Sequence, residues 1–167
     1  MEVSTAAVKQ LRDKTSAGVM DCRRALLETG GDFDNACAVL RQWGLAKAEK
    51  RSGCVSAQGL IESYVHQGSQ IAALVEVNCE TDFVAHTEEF KTLAHNIALQ
   101  VAATAPLHLS QAELPEDADE YQKSLCLLDQ AFIKDNAITI QDLINEVIAK
   151  VGENINVGRF VRLRVGC

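Results

Sequence analysis

The sequence predicts an α+β protein: three short N-terminal helices, then a core of a three-stranded antiparallel sheet with helices on one face. Three observations carry this. Residues 6 to about 44 place apolar side chains at helical spacing between turn-forming residues. Residues 59–66 and 71–78 alternate about the polar loop Gln67-Gly68-Ser69-Gln70, as a hairpin does. After further helical stripes, Ile155 to Val165 alternates again and reads as a closing strand.

In the first helix Val8, Leu11 and Thr15 form a sparse inner stripe. Cys22, Ala25, Leu26 and Thr29 make that of the second, and Ala36, Val39, Leu40 and Trp43 that of the third. Thr15-Ser16-Ala17-Gly18 turns between the first pair, and Gly30-Gly31 followed by Asp32 stops the second helix and caps the third. This arrangement resembles a ubiquitin-associated-type three-helix module, a binding fold. Val19 and Met20, beside the tight turn, read either as one inward and one surface residue or as an exposed apolar knob. Ala46 to Gln58 reads as a short exposed helix and a linker, with Lys47, Lys50 and Arg51 on a solvated face. The expected divisions are therefore 1–45, 46–58 and 59–167.

In the third division, Ile71, Ala73, Val75 and Val77 give the second strand an apolar face. Thr87 caps a helix whose stripe runs Phe90, Leu93, Ala94, Ile97, Ala98, Val101 and Ala105, and Pro106 ends it. Residues 107–118 form an acidic connector, and Tyr121, Leu125, Leu128 and Phe132 mark another helix. Thr139 and Asp142 form a capping pair for the last helix, which Gly152 terminates. The remaining face of the sheet is expected to carry Leu60, Leu74 and Phe160, a half-apolar surface that invites a partner or a second copy.

Composition narrows the function classes. The 167 residues are 47% apolar and carry a net charge of -7, which disfavours a broad phosphate-binding surface. Residues 1–58 hold nine Lys/Arg against seven Asp/Glu, and residues 59–167 hold seven against sixteen, so the acid excess lies in the second part. No apolar run approaches the ~20 residues of a membrane span, and the start of the chain has no signal-type block, so a cytoplasm-like compartment is expected. The six cysteines are scattered without a Cys-x-x-Cys pair and read as small hydrophobes, Cys167 being terminal and exposed. His66, His86, His95 and His108 lack metal-ligand spacing, and no phosphate-cradling loop occurs. Cys79 near Glu80, Asp82 and His86 evokes a thiol nucleophile, but it ends an apolar strand with no oxyanion loop ahead of it.

Three ordered runs carry a family resemblance. They are Val8 to Leu26, then Glu76-Val77-Asn78-Cys79-Glu80-Thr81-Asp82-Phe83-Val84-Ala85, then Gly152-Glu153-Asn154-Ile155. Together they resemble elongation factor Ts. The match departs at Ser16, where the family often has Gly, and at Val19, where it often has Met. The resemblance implies nucleotide exchange on the GTPase elongation factor Tu, with release of GDP and Mg²⁺, no bond made or broken and no cofactor of its own. It assigns Mg²⁺ dislocation to Thr81, Asp82, Phe83 and Val84, and a second GTPase contact to Arg12, Val19 and Met20. With one core half, the chain looks like the short form, which pairs as a homodimer through the core sheet. Cytoplasm is the implied compartment, an organelle matrix or stroma the alternative. From the residues alone, without the motif, Phe83 reads as a core aromatic under the following helix, and the alternative for the whole chain is a non-catalytic adaptor built on the three-helix module.

Overall fold

The computed structural model describes residues 3–15, 17–51 and 53–166; Ser16 of the first turn, Ser52 of the linker and Cys167 lie outside the described residues. The N-terminal helices are α1 (Thr5–Thr15), α2 (Val19–Glu28) and α3 (Phe33–Arg51). Val8, Leu11, Cys22, Ala25, Leu26, Ala36 and Leu40 enclose a small core between them. The Gly30-Gly31 turn uses positive φ at both glycines, and Asp32 then caps α3 by accepting the Asn35 N–H at 3.0 Å. Against expectation, α3 does not stop near residue 44. Good helix formers follow, and Gly44, far from breaking the helix, lets it approach a later one: a Cβ there would sit 3.0 Å from Ala149 Cβ. The continuation buries Ala48 in the second core.

The sheet is built from β1 (Gln58–Val65), β2 (Ile71–Cys79) and, at the far end of the chain, β5 (Ile155–Arg164), in the order β1-β2-β5, all antiparallel. Ala73, Val75, Val77 and Cys79 alternate into the core as the period of two dictates. A bulge between Val75 and Val77 sets Gly158 and Arg159 opposite the single residue Glu76. The extra residue changes the parity of β5, so Val157 and Phe160 both face the core side, each opposite a buried valine of β2. This corrects the expected open face: Leu60 and Phe160 pack against the core, and the open side instead carries Ile61, Val65, Leu74, Val161 and Leu163.

Gly59 holds φ at +152°, and a Cβ there would run into the Val77 carbonyl and lie 2.8 Å from Asn78 Cα. Neither is a flexible group. Gly59→Ala is expected to lose about 1–3 kcal/mol of stability, read as a lowered Tm in thermal unfolding, with the β1–β2 edge opening first.

On the covered face lie α4 (Asp82–Ala85), α5 (Glu88–Thr104) and a later helix, α7 (Ile140–Val151). Thr87 caps α5, accepting the Phe90 N–H at 3.3 Å, and the predicted stripe from Phe90 to Val101 is buried. The long helix expected through Tyr121–Phe132 is absent. In its place stand a single-turn α6 (Glu120–Ser124), a 3-10 turn (Leu127–Asp129) and a hairpin of β3 (Ala131–Phe132) and β4 (Asp135–Thr139). The cause is tertiary. Gln100, fully buried on α5, donates to the Ala131 carbonyl at 3.1 Å and accepts the Ile133 N–H at 3.0 Å, which holds this backbone extended. The Gln130 side chain completes the anchor by accepting from Gln100 Nε2 at 3.2 Å and from the Thr104 hydroxyl at 2.7 Å. The Thr139/Asp142 capping box then starts α7, and Gly152, at φ +76°, ends it.

Candidate functional site

The segment from Cys79 to His86 leaves β2 at its end and enters α4, a helix of one turn. Thr81 is its cap: the hydroxyl oxygen accepts the Val84 N–H at 3.4 Å. Val84 and Ala85 turn into the core, which forces the two residues ahead of them outward. Phe83 is 76% exposed, whereas Phe90, seven positions on, is completely buried. The reading of Phe83 as a core aromatic therefore does not hold. Asp82 is exposed beside it, and His86 Nδ1 lies 2.6 Å from the Asp82 carbonyl, closing the turn from its far end. A shallow groove lined by Phe83, Val84, Thr87, Glu89, Lys150 and Val151 runs along the aromatic ring.

Cys79 lies at the base of this turn, fully buried, with its thiol donating to the Thr81 carbonyl at 3.1 Å. Burial and the nearby Glu153 carboxylate push that thiol above its ordinary pKa. A neutral thiol is a poor nucleophile, so its place in the turn is that of a hydrogen-bond donor.

Behind the turn lies a set of contacts that sequence reading missed. Glu80 pairs with Arg51, the last residue of α3, at 3.1 and 3.3 Å, and accepts the Asn154 N–H at 2.6 Å. That backbone donor, followed by the guanidinium, holds the Glu80 carboxyl below the ordinary carboxylate range. Arg12, Val19 and Met20, the other predicted contacts, lie on the N-terminal helices. Arg12 is exposed, Val19 51% and Met20 70% exposed, so neither apolar residue of the pair packs inward. Lys47 of α3 bonds Asp21 of α2 at 2.7 Å, just past Met20. The basic stretch expected to be a solvated face thus contributes two of its three cations to ion pairs. One is at the start of α2 and the other at the base of the Phe83 turn. α3 thus carries one ion pair to the helix of Val19 and Met20 and one to the residue before Thr81. Only the spacing of Lys47 and Arg51, on one helical face, could have signalled this.

A carboxyl whose pKa is depressed on folding stabilises the fold in full above its unfolded value, and the contribution is lost as pH falls through the folded value. Acidification is therefore expected to lower the Tm of the natural chain more steeply than that of Glu80→Gln. The variant is less stable at neutral pH, and the two curves converge on the acid side of the carboxylate range. Parallel curves would mean that the Glu80 contacts are not formed in solution.

Among the described residues no group of three or more His, Cys, Asp and Glu is arranged to hold a metal ion. No described helix is long and apolar enough to cross a membrane. What the turn offers is contact: an exposed aromatic beside an exposed acid on a turn held from behind, side chains suited to meeting another macromolecule.

Comparison with known proteins gives that class its family. The family model described as Elongation factor TS matches residues 45–124, ending where α6 ends. Elongation factor Ts of Coprothermobacter proteolyticus is 45% identical over 196 aligned positions, covering 99% of this chain and 100% of that protein. Elongation factor Ts of Moorella thermoacetica is 44% identical, covering 98% and 96%. That of Carboxydothermus hydrogenoformans is 42% identical, covering 98% and 89%. The chain belongs to the elongation factor Ts family, and with it to the elongation factors of protein biosynthesis. The alignments are longer than the 167 residues here, so these relatives carry additional residues inside the matched stretch.

Proposed function

We propose that this chain is a guanine-nucleotide exchange factor that binds elongation factor Tu in its GDP form and promotes release of GDP and Mg²⁺, so that GTP can enter. The observation that carries the reading is the exposure of Phe83 on a turn whose neighbours are buried or bonded. An aromatic side chain held in water at the tip of a braced turn loses about 1.5–3 kcal/mol of hydration cost when it enters an apolar gap in a partner. Inserted between helices of the GTPase domain, it separates them and displaces the groups that hold Mg²⁺. Asp82, exposed beside it, brings negative charge toward the phosphates and disfavours bound nucleotide. Thr81 and Val84 hold the turn.

In this reading residues 1–45 form the docking module, with Arg12, Val19 and Met20 as the second contact on the GTPase. Residues 46–58 connect it to the core at 59–167. The open sheet face around Leu74, Val161 and Leu163 joins two copies into a homodimer. The chain makes and breaks no bond, needs no cofactor and works in the cytoplasm.

Exchange without chemistry rests on linkage. If the chain weakens GDP binding by some factor, GDP weakens binding of the chain by the same factor, and a thousandfold effect corresponds to about 4 kcal/mol of coupling. Titrating GDP into a preformed complex of this chain with nucleotide-free elongation factor Tu should therefore dissociate it, whereas an adaptor would stay bound at any GDP concentration.

A further inference from the structure

Thr81 is exposed, yet every one of its polar groups is engaged. Its N–H donates to Glu153 Oε2 at 3.0 Å and its hydroxyl to Glu153 Oε1 at 2.7 Å, so a single carboxylate takes both. The hydroxyl oxygen also accepts from Val84 N–H, and the carbonyl accepts the Cys79 thiol. Glu153 follows Gly152 in the left-handed turn that ends α7 and leads into β5. Its neighbour Asn154, only 6% exposed, bonds Glu80 through its N–H at 2.6 Å and the Cys54 carbonyl through its side chain at 2.9 Å. Two residues of one turn thus grip two consecutive residues of another, 72 and 74 positions apart along the chain.

A four-residue helix cannot orient itself, since one turn fixes several dihedrals for few internal hydrogen bonds. The direction in which α4 projects must come from outside it. We propose that Glu153 is a positioning residue for the exchange step: its two charge-assisted bonds to the Thr81 cap set the direction of Phe83 before the partner arrives. This rests on the reading of Phe83 given above. A turn ordered in advance spends none of the docking energy on ordering itself, and Glu153 does this through its two bonds to Thr81. A planar side chain with two polar prongs is required, because one group must meet both the N–H and the hydroxyl of a single residue, which the carboxylate does with its two oxygens.

The test is stopped-flow release of a fluorescent GDP analogue from elongation factor Tu at increasing concentrations of this chain. Glu153→Ala is expected to lower the maximal release rate about tenfold, with the half-saturating concentration changed less than about twofold because the N-terminal contact is intact. Glu153→Gln recovers most of the rate, its amide oxygen accepting the Thr81 N–H and its amide NH₂ donating to the hydroxyl oxygen. Thr81→Val, which removes the hydroxyl, reproduces the loss and serves also if Glu153→Ala does not fold. In the Phe83→Ala background Glu153→Ala adds nothing further, since there is no ring left to aim. Equal losses in both backgrounds, or an undiminished maximal rate in folded Glu153→Ala, would overturn the proposal while leaving Phe83 in its role. A full rate in Phe83→Ala itself would overturn the reading on which it rests.

Discussion

Phe83→Ala is expected to leave the chain folded and to lower the efficiency of GDP release from elongation factor Tu by roughly 10- to 150-fold, the kinetic equivalent of an aromatic burial worth about 1.5–3 kcal/mol. The two halves of that expectation have one cause. A side chain 76% exposed contributes little packing to its own fold, so its removal should change stability by no more than about 0.5 kcal/mol. Most of its apolar surface remains available to a partner. Phe90→Ala provides the contrast within the same segment. That ring is fully buried, and its loss should cost about 3–5 kcal/mol of stability through the cavity it leaves. Release kinetics together with thermal unfolding of both variants separate a docking aromatic from a packing one. A folded Phe83→Ala chain with undiminished release would remove the ring from the exchange step.

The second large effect concerns the open face of the sheet. Leu74 sits on the central strand there, paired with Ser63 on one side and Val161 on the other. Ile61, Val65 and Leu163 extend the apolar surface around it. In the proposed homodimer this face is covered by the same face of a second copy. Leu74→Asp places a carboxylate at the centre of that face, and in a symmetric pair places two of them together. Sedimentation equilibrium is expected to show a dimer for the natural chain and a monomer for the variant, with the fold retained because the replaced side chain points away from the core. A natural chain that sediments as a monomer would contradict the pairing.

Local signals in the sequence were strong wherever period and punctuation agreed. The Thr87 cap with the Phe90 stripe, the Thr139/Asp142 box and the Gly152 stop all stand in the structure where their chemistry put them. Legibility failed where distant contacts decided. Tyr121 to Phe132 carries helical spacing, but the buried Gln100 amide takes the backbone of 131–133 into a hairpin, and no window of sequence contains both partners. Phe160 faces the core because a bulge opposite Glu76 shifts the parity of β5, an event that alternation alone does not register. At the candidate site the exposed residues of the Asp82-Phe83 turn were legible as a motif. Their support was not: Glu153 and Asn154 belong to a separate run, Arg51 to the stretch read as linking the N-terminal helices to the sheet, and only folding brings them to Thr81 and Glu80.

The most direct test of the central claim is the release of a fluorescent GDP analogue from elongation factor Tu in the presence of substoichiometric amounts of this chain. Exchange predicts that each molecule of the chain discharges many molecules of GDP, with release accelerating in proportion to its concentration. Release at the spontaneous rate, from a folded chain and an active GTPase, would contradict it.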